Sequence, residues 1–119
     1  MRKLEAKPYD LEKRTLEFSK AVIRLCVELP KKVVNSNVIN QLLRAACSVG
    51  ANYREANEKL SKKDFIHRMK ITRKECKEAS YWLELLLEAN QTYSKKIIEF
   101  IKESRELRNI FSAIIEKSS

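Results

Sequence analysis

A chain of 119 residues with one glycine and two prolines has little material for sheet turns or flexible linkers, so it reads as a single all-α domain, residues 1–119. No apolar run approaches the roughly 20 residues of a membrane span, and the opening MRKLEAKPYD lacks the apolar region of a secretory signal. The expectation is a cytoplasmic protein without membrane contact, whose net charge of +9 favours a polyanionic partner.

Residues 1–9 carry no apolar period and read as a loose arm. Asp10 is placed to cap helix 1, in which Leu11, Thr15, Phe18, Val22, Leu25 and Leu29 alternate at spacings of four and three. Pro30 ends that helix by pushing Leu29 out of the α region. Asn35 or Ser36 then caps helix 2, with Val38, Leu42, Ala45, Val49, Tyr53 and Ala56 inward. Gly50 in mid-helix costs about 1 kcal/mol relative to Ala. Its small neighbours from Ala45 to Ala51 suggest that close approach by another helix offsets this cost.

A short turn around Lys59–Leu60 leads to Ser61 and Asp64, an S-x-x-D variant of the capping box that opens helix 3. Phe65, Met69, Thr72, Cys76, Ala79, Leu83 and Leu86 keep the four-three alternation, predicting a helix of roughly 40 Å that stops near Asn90. Ser94 is placed to cap helix 4, with Phe100, Ser104, Leu107, Phe111 and Ile114 on its seam. Long helices joined by short loops predict an antiparallel up-down-up-down four-helix bundle.

More apolar surface exists than one seam needs. Helix 3 adds Ile71, Trp82, Leu85 and Ala89, helix 2 adds Ile39, Leu43 and Ala46, and helix 4 adds Ile98, Ile110 and Ile115. A helix apolar on two faces meets another chain or sits centrally, so a homo-oligomer is expected.

Chemistry finds little support. Cys26, Cys47 and Cys76 are widely spaced and read as reduced, mostly buried thiols. Asp64 and His67 give one D-x-x-H, but His67 is the only histidine, so neither a metal nor another cofactor is expected. Glu75 and Glu78 lie three apart on one face, and ion pairing with Arg44 or Arg73 explains them more simply than acid–base work. No catalytic residues are predicted. Arg44, Ser48, Asn52 and Glu55 form a polar line on helix 2, read as an interhelix or intersubunit network or as a solvated edge.

Positive charge is uneven. Residues 1–34 carry nine basic and five acidic side chains and residues 61–78 seven and three, whereas residues 79–119 are neutral. The candidate nucleic-acid contacts are therefore Lys62, Lys63, Arg68, Lys70, Arg73, Lys74 and Lys77 on helix 3. Lys13, Arg14, Lys20 and Arg24 on helix 1 are placed as an extension of that patch. They fall on several azimuths without a base-stacking set, which implies phosphate contact without sequence readout. The alternative is a protein-interaction scaffold that makes no use of the charge.

The segments QLLRAACSVGANYREAN (Gln41–Asn57) and SKKDFIHRMKITRKECKEASYWLELL (Ser61–Leu86) resemble the 23S rRNA intervening-sequence protein family. Arg44-Ala45-Ala46, Ser48, Asn52, Glu55-Ala56 and Ser61-Lys62-Lys63-Asp64-Phe65 carry the resemblance most specifically, and Gly50-Ala51 departs from it. The resemblance implies an antiparallel four-helix bundle assembled as a ring-like homopentamer. It also implies similarity in fold to accessory proteins of diversity-generating retroelements, which engage a reverse transcriptase and RNA or DNA. It supplies no catalytic residues.

Overall fold

A computed structural model describes residues 8–58 and 61–119. Of the arm expected over residues 1–9, residues 1–7 lie outside the described residues, as does the turn at Lys59–Leu60, whereas Pro8 and Tyr9 already belong to the first helix. Among the described residues the chain forms α1 (Pro8–Glu28), α2 (Val33–Ala56), α3 (Lys62–Ala89) and α4 (Ser94–Ser118). A single 3-10 turn at Gln91–Tyr93 leads into α4, and no strand occurs among the described residues.

The helices form an antiparallel bundle of 45 × 27 × 19 Å. α2 packs most extensively on α3, α3 on α4, and α1 on α2. The α1–α4 seam is thin, and the α1 and α3 backbones do not approach each other, so these two helices sit on opposite corners. The antiparallel sense is fixed at the ends: Tyr93, just before α4, donates its hydroxyl to the Glu28 carbonyl at the end of α1. Likewise, Lys32 before α2 reaches the Ala89 carbonyl at the end of α3, at 2.9 Å.

The four-three alternation of α1 and α3 is the core. Leu11, Thr15, Phe18, Val22, Leu25 and Leu29 are all buried, as are Met69, Thr72, Cys76, Ala79, Leu83 and Leu86. At Gly50 the missing side chain is filled by Thr15 of α1. A Cβ there would stand 3.1 Å from the Thr15 hydroxyl oxygen, which donates to the Leu11 carbonyl at 2.8 Å. Ser19 of α1 donates to the Ala46 carbonyl one turn along α2, at 3.1 Å. Small residues thus let α1 approach the α2 backbone, and this approach occurs within the bundle.

Several local expectations need correction. Asp10 lies in the first turn of α1, which is already helical at Pro8, so it is not the cap. α2 starts at Val33 behind Lys32, with no side-chain cap, and Asn35 does different work. The Asn35 carboxamide is buried, donating to the Pro30 carbonyl at 2.8 Å and to Asn90 Oδ1 at 2.9 Å. Asn90 returns a bond to Asn35 Oδ1 at 2.8 Å and donates to the Leu86 carbonyl at 2.9 Å. This reciprocal pair ties the α1–α2 loop to the end of α3, where Asn90 does stop the helix. Ser94 is the first residue of α4, not its cap, because the 3-10 turn delivers the chain already coiled. On α4 the expected Ser104, Leu107 and Phe111 are buried, but Ile97, Ile101, Ile110 and Ile115 complete the stripe, whereas Phe100 and Ile114 are only half-buried. Ser61 performs as expected, its Oγ accepting the Asp64 backbone N–H at 3.1 Å.

Candidate nucleic-acid interface

α3 carries its charge in three strips, and the bundle assigns each strip a different task. Its buried seam faces inward. On the side toward α2, Glu75 and Glu78 meet Arg44, the first at 3.3 Å, and Glu78 also accepts the Trp82 indole N–H at 3.0 Å. Arg68 on the same side donates to Asn52 Oδ1 at 2.9 Å. Toward α4, Arg73 reaches Ser112 Oγ at 3.3 Å and Glu84 pairs with Arg105 at 2.7 Å.

The third strip points to solvent. Lys63, His67, Lys70, Lys74, Lys77 and Tyr81 are all exposed. Their spacings of four, three, four, three and four place them within about 40° of one direction at about 100° per residue. None of these four lysines makes an ion pair among the described residues. The reason is stoichiometric: Glu75, Glu78 and Glu84 are held by arginines of α2 and α4, leaving the lysines of α3 uncompensated. From Lys63 to Lys77 the crest runs about 21 Å at about 1.5 Å per residue.

The predicted contacts therefore separate. Lys63, Lys70, Lys74 and Lys77 form one ridge, and Lys62 is exposed beside its start. Arg68 and Arg73 are half-buried against α2 and α4. Lys13, Lys20 and Arg24 are exposed on α1, on the opposite corner of the bundle, and so do not continue the ridge. Lys20 lies 3.7 Å from Glu17. Arg14 is spent inside the protein: it binds Glu103 through two bonds of 2.8 Å and Glu106 through a third of 2.8 Å. These bonds, that to Glu103 foremost, raise the Arg14 pKa against the opposing cost of burial.

The polar line of α2 is joined by side chains within one bundle. Ser48 donates to the Arg44 carbonyl at 2.6 Å and Asn52 to the Ser48 carbonyl at 2.9 Å, while Glu55 is exposed and outside this set. Of the apolar second face of α3, Ile71 and Trp82 are half-buried and Leu85 is 37% exposed. A groove of about 300 Å³ runs between α1 and α2, lined chiefly by Leu16, Ile23, Cys47, Gly50 and Ala51. Of the thiols expected to be mostly buried, Cys76 is buried, Cys26 half-buried and Cys47 exposed. Cys47 lies one residue out of phase with the inward face of α2, which turns it toward the groove.

The chemistry available on the ridge is charge attraction to phosphate, without a fixed acceptor pattern that would read base edges. Sequence reasoning missed His67 and Tyr81 as members of this strip. The signal was present: the ridge repeats the alternation of the core seam half a turn away.

Comparison with known proteins agrees with the bundle. The family model described as 23S rRNA-intervening sequence protein matches residues 7–113. A crystal structure of a protein of unknown function from the S23 ribosomal protein family of Bacteroides thetaiotaomicron VPI-5482 superposes with a TM-score of 0.82. It is 32% identical, over 93% of this chain and 99% of that one. Among curated proteins none matches. No helix among the described residues is long and apolar enough to cross a membrane.

Proposed function

Because the chain belongs to the 23S rRNA-intervening sequence protein family, a family matched here over residues 7–113, we propose a non-enzymatic nucleic-acid-binding role for it. In this reading it is a cytoplasmic homo-oligomer, a pentamer by family resemblance, that holds RNA or DNA, free or within a ribonucleoprotein, through phosphate contacts. The observation that carries the reading is the crest of α3, where Lys63, Lys70, Lys74 and Lys77 stand exposed and unpaired while Glu75, Glu78 and Glu84 are bound to other helices. Four such lysines release about three condensed counterions on meeting a single strand, a gain that is large at low salt and fades as salt rises.

The test is an anisotropy titration of a labelled random-sequence RNA across a salt series. Binding that weakens linearly in log–log form supports the reading. No binding at low salt, or binding indifferent to salt, overturns it.

The groove between α1 and α2 favours a second reading, a scaffold that engages protein through apolar surface. Leu16 and Ile23 are exposed beside it, and Val27 is exposed one turn on. Capture of a protein partner that survives nuclease treatment, with no affinity for RNA, would favour the scaffold. Light scattering tests the oligomer, for which a monomer mass is the contrary result.

A further inference from the structure

We propose that the α3 ridge takes unpaired nucleotides rather than duplex, with Tyr81 serving as the stacking platform for one base. This rests on the nucleic-acid reading above and deepens it. Tyr81 continues the lysine line, four residues beyond Lys77 and seven beyond Lys74, which puts its ring at the end of the charged crest. Tyr81 is 56% exposed, an unusual expense of apolar surface for a residue whose five predecessors on the ridge are four lysines and a histidine.

The ring is also braced. Trp82 stands against it edge-on, with ring centroids 5.0 Å apart and planes at 70°. The Trp82 indole N–H is tied to Glu78 at 3.0 Å, and Glu78 is held by Arg44 of α2. A chain of contacts from the α2 backbone thus limits the freedom of Tyr81 before any ligand arrives, which lowers the ordering cost of stacking.

The geometry selects among nucleic acids. On a duplex each base face is covered by its neighbours, so a ring on a convex crest would meet only sugar and phosphate. An unpaired strand can lay successive phosphates along the lysines and turn a base onto the tyrosine, the combination by which single strands are held without sequence preference. Beyond Tyr81 the ridge carries the exposed Glu88, so the attractive track ends at the ring. A second copy of this chain is the competing occupant. Two like ridges of unpaired lysines repel, which favours the polyanion.

The experiment compares a labelled 16-nucleotide single strand with the blunt duplex of the same sequence, on the full-length protein and on Tyr81→Ala and Tyr81→Phe. The expected result is tighter binding of the single strand. Tyr81→Ala should lose at least about fivefold of that affinity with an unchanged salt slope, and Tyr81→Phe should retain it. Fluorescence of Trp82, the only tryptophan, should change on adding the single strand and not the duplex. Equal affinity for both forms, or a Tyr81→Ala variant that binds as wild type, overturns this proposal and leaves the phosphate reading standing. Failure of the unaltered protein to bind either form sinks both. A drop in light-scattering mass on Tyr81→Ala would place the ring between copies and also overturn it.

Discussion

Gly50→Ala should fail to stabilise α2, although an alanine in mid-helix normally gains about 1 kcal/mol over glycine. The new Cβ would stand 3.1 Å from Thr15 Oγ1 and 3.5 Å from Thr15 Cβ. Thr15 is fully buried and its hydroxyl is fixed on the Leu11 carbonyl at 2.8 Å, so it cannot swing aside without losing that bond. Overpacking of this kind costs about 1–3 kcal/mol, enough to cancel or exceed the helix gain. Thr15→Ala removes the obstructing oxygen, and in that background Gly50→Ala should recover most of its 1 kcal/mol (about that figure, from the same propensity scale). Thr15→Ser keeps the oxygen and should not. Urea unfolding of the four members of the cycle measures the coupling, expected at about 1–2 kcal/mol between the two sites. Additive effects, with Gly50→Ala stabilising by the full amount beside an intact Thr15, would refute the close helix crossing as the reason for glycine.

Asn35→Ala should cost about 1–3 kcal/mol in urea unfolding, because it strands the buried Asn90 carboxamide, and a loss below half of the lower figure would contradict the buried pair. Arg14→Met should destabilise more than Arg44→Met, since the Arg14 side chain is 24% exposed among two carboxylates and the Arg44 side chain 49% exposed; equal melting temperatures would contradict this. Under a thiol-alkylating reagent at neutral pH, Cys47 should react first, Cys26 slowly and Cys76 only on unfolding, as mapped by peptide mass. Burial pushes Cys26 up to about 11 and Cys76 up to about 12 from an ordinary 9.0. The folded state therefore keeps protons that the unfolded chain has released, and this stabilisation is whole below the ordinary value of 9.0. It is lost as pH rises through about 11 and then about 12. Cys76→Val should flatten the fall in melting temperature across the alkaline part of that window, and an unchanged fall would contradict it.

The bundle was legible because α1 and α3 write their buried faces as unbroken four-three alternations, from Leu11 to Leu29 and from Met69 to Leu86. α4 was harder to read, since Phe100 and Ile97 are both apolar and only the 3-10 turn before Ser94 decides which turns inward. Asn35 was misread for a similar reason: a cap and a buried carboxamide use the same residue, and its partner Asn90 lies 55 positions away. The charge on α3 was visible as a total, but its use was not. Knowing that Arg68 and Arg73 turn to neighbours, and that Glu75, Glu78 and Glu84 are bound by Arg44 and Arg105, requires α2 and α4 in place. Tyr81 was not placed at all, and His67 was weighed only as a metal ligand, because a solvent-facing period carries no packing signal of its own.

The most direct measurement is the salt dependence of hexanucleotide binding by two charge-neutralised variants. One carries Lys63, Lys70, Lys74 and Lys77→Gln on the α3 ridge, the other Lys13, Lys20 and Arg24→Gln on the opposite corner. The ridge variant should lose affinity and its log–log slope should flatten by about 3, while the α1 variant stays near wild type. A ridge variant that keeps the wild-type slope, or a loss confined to the α1 variant, would contradict the assignment of phosphate contact to α3.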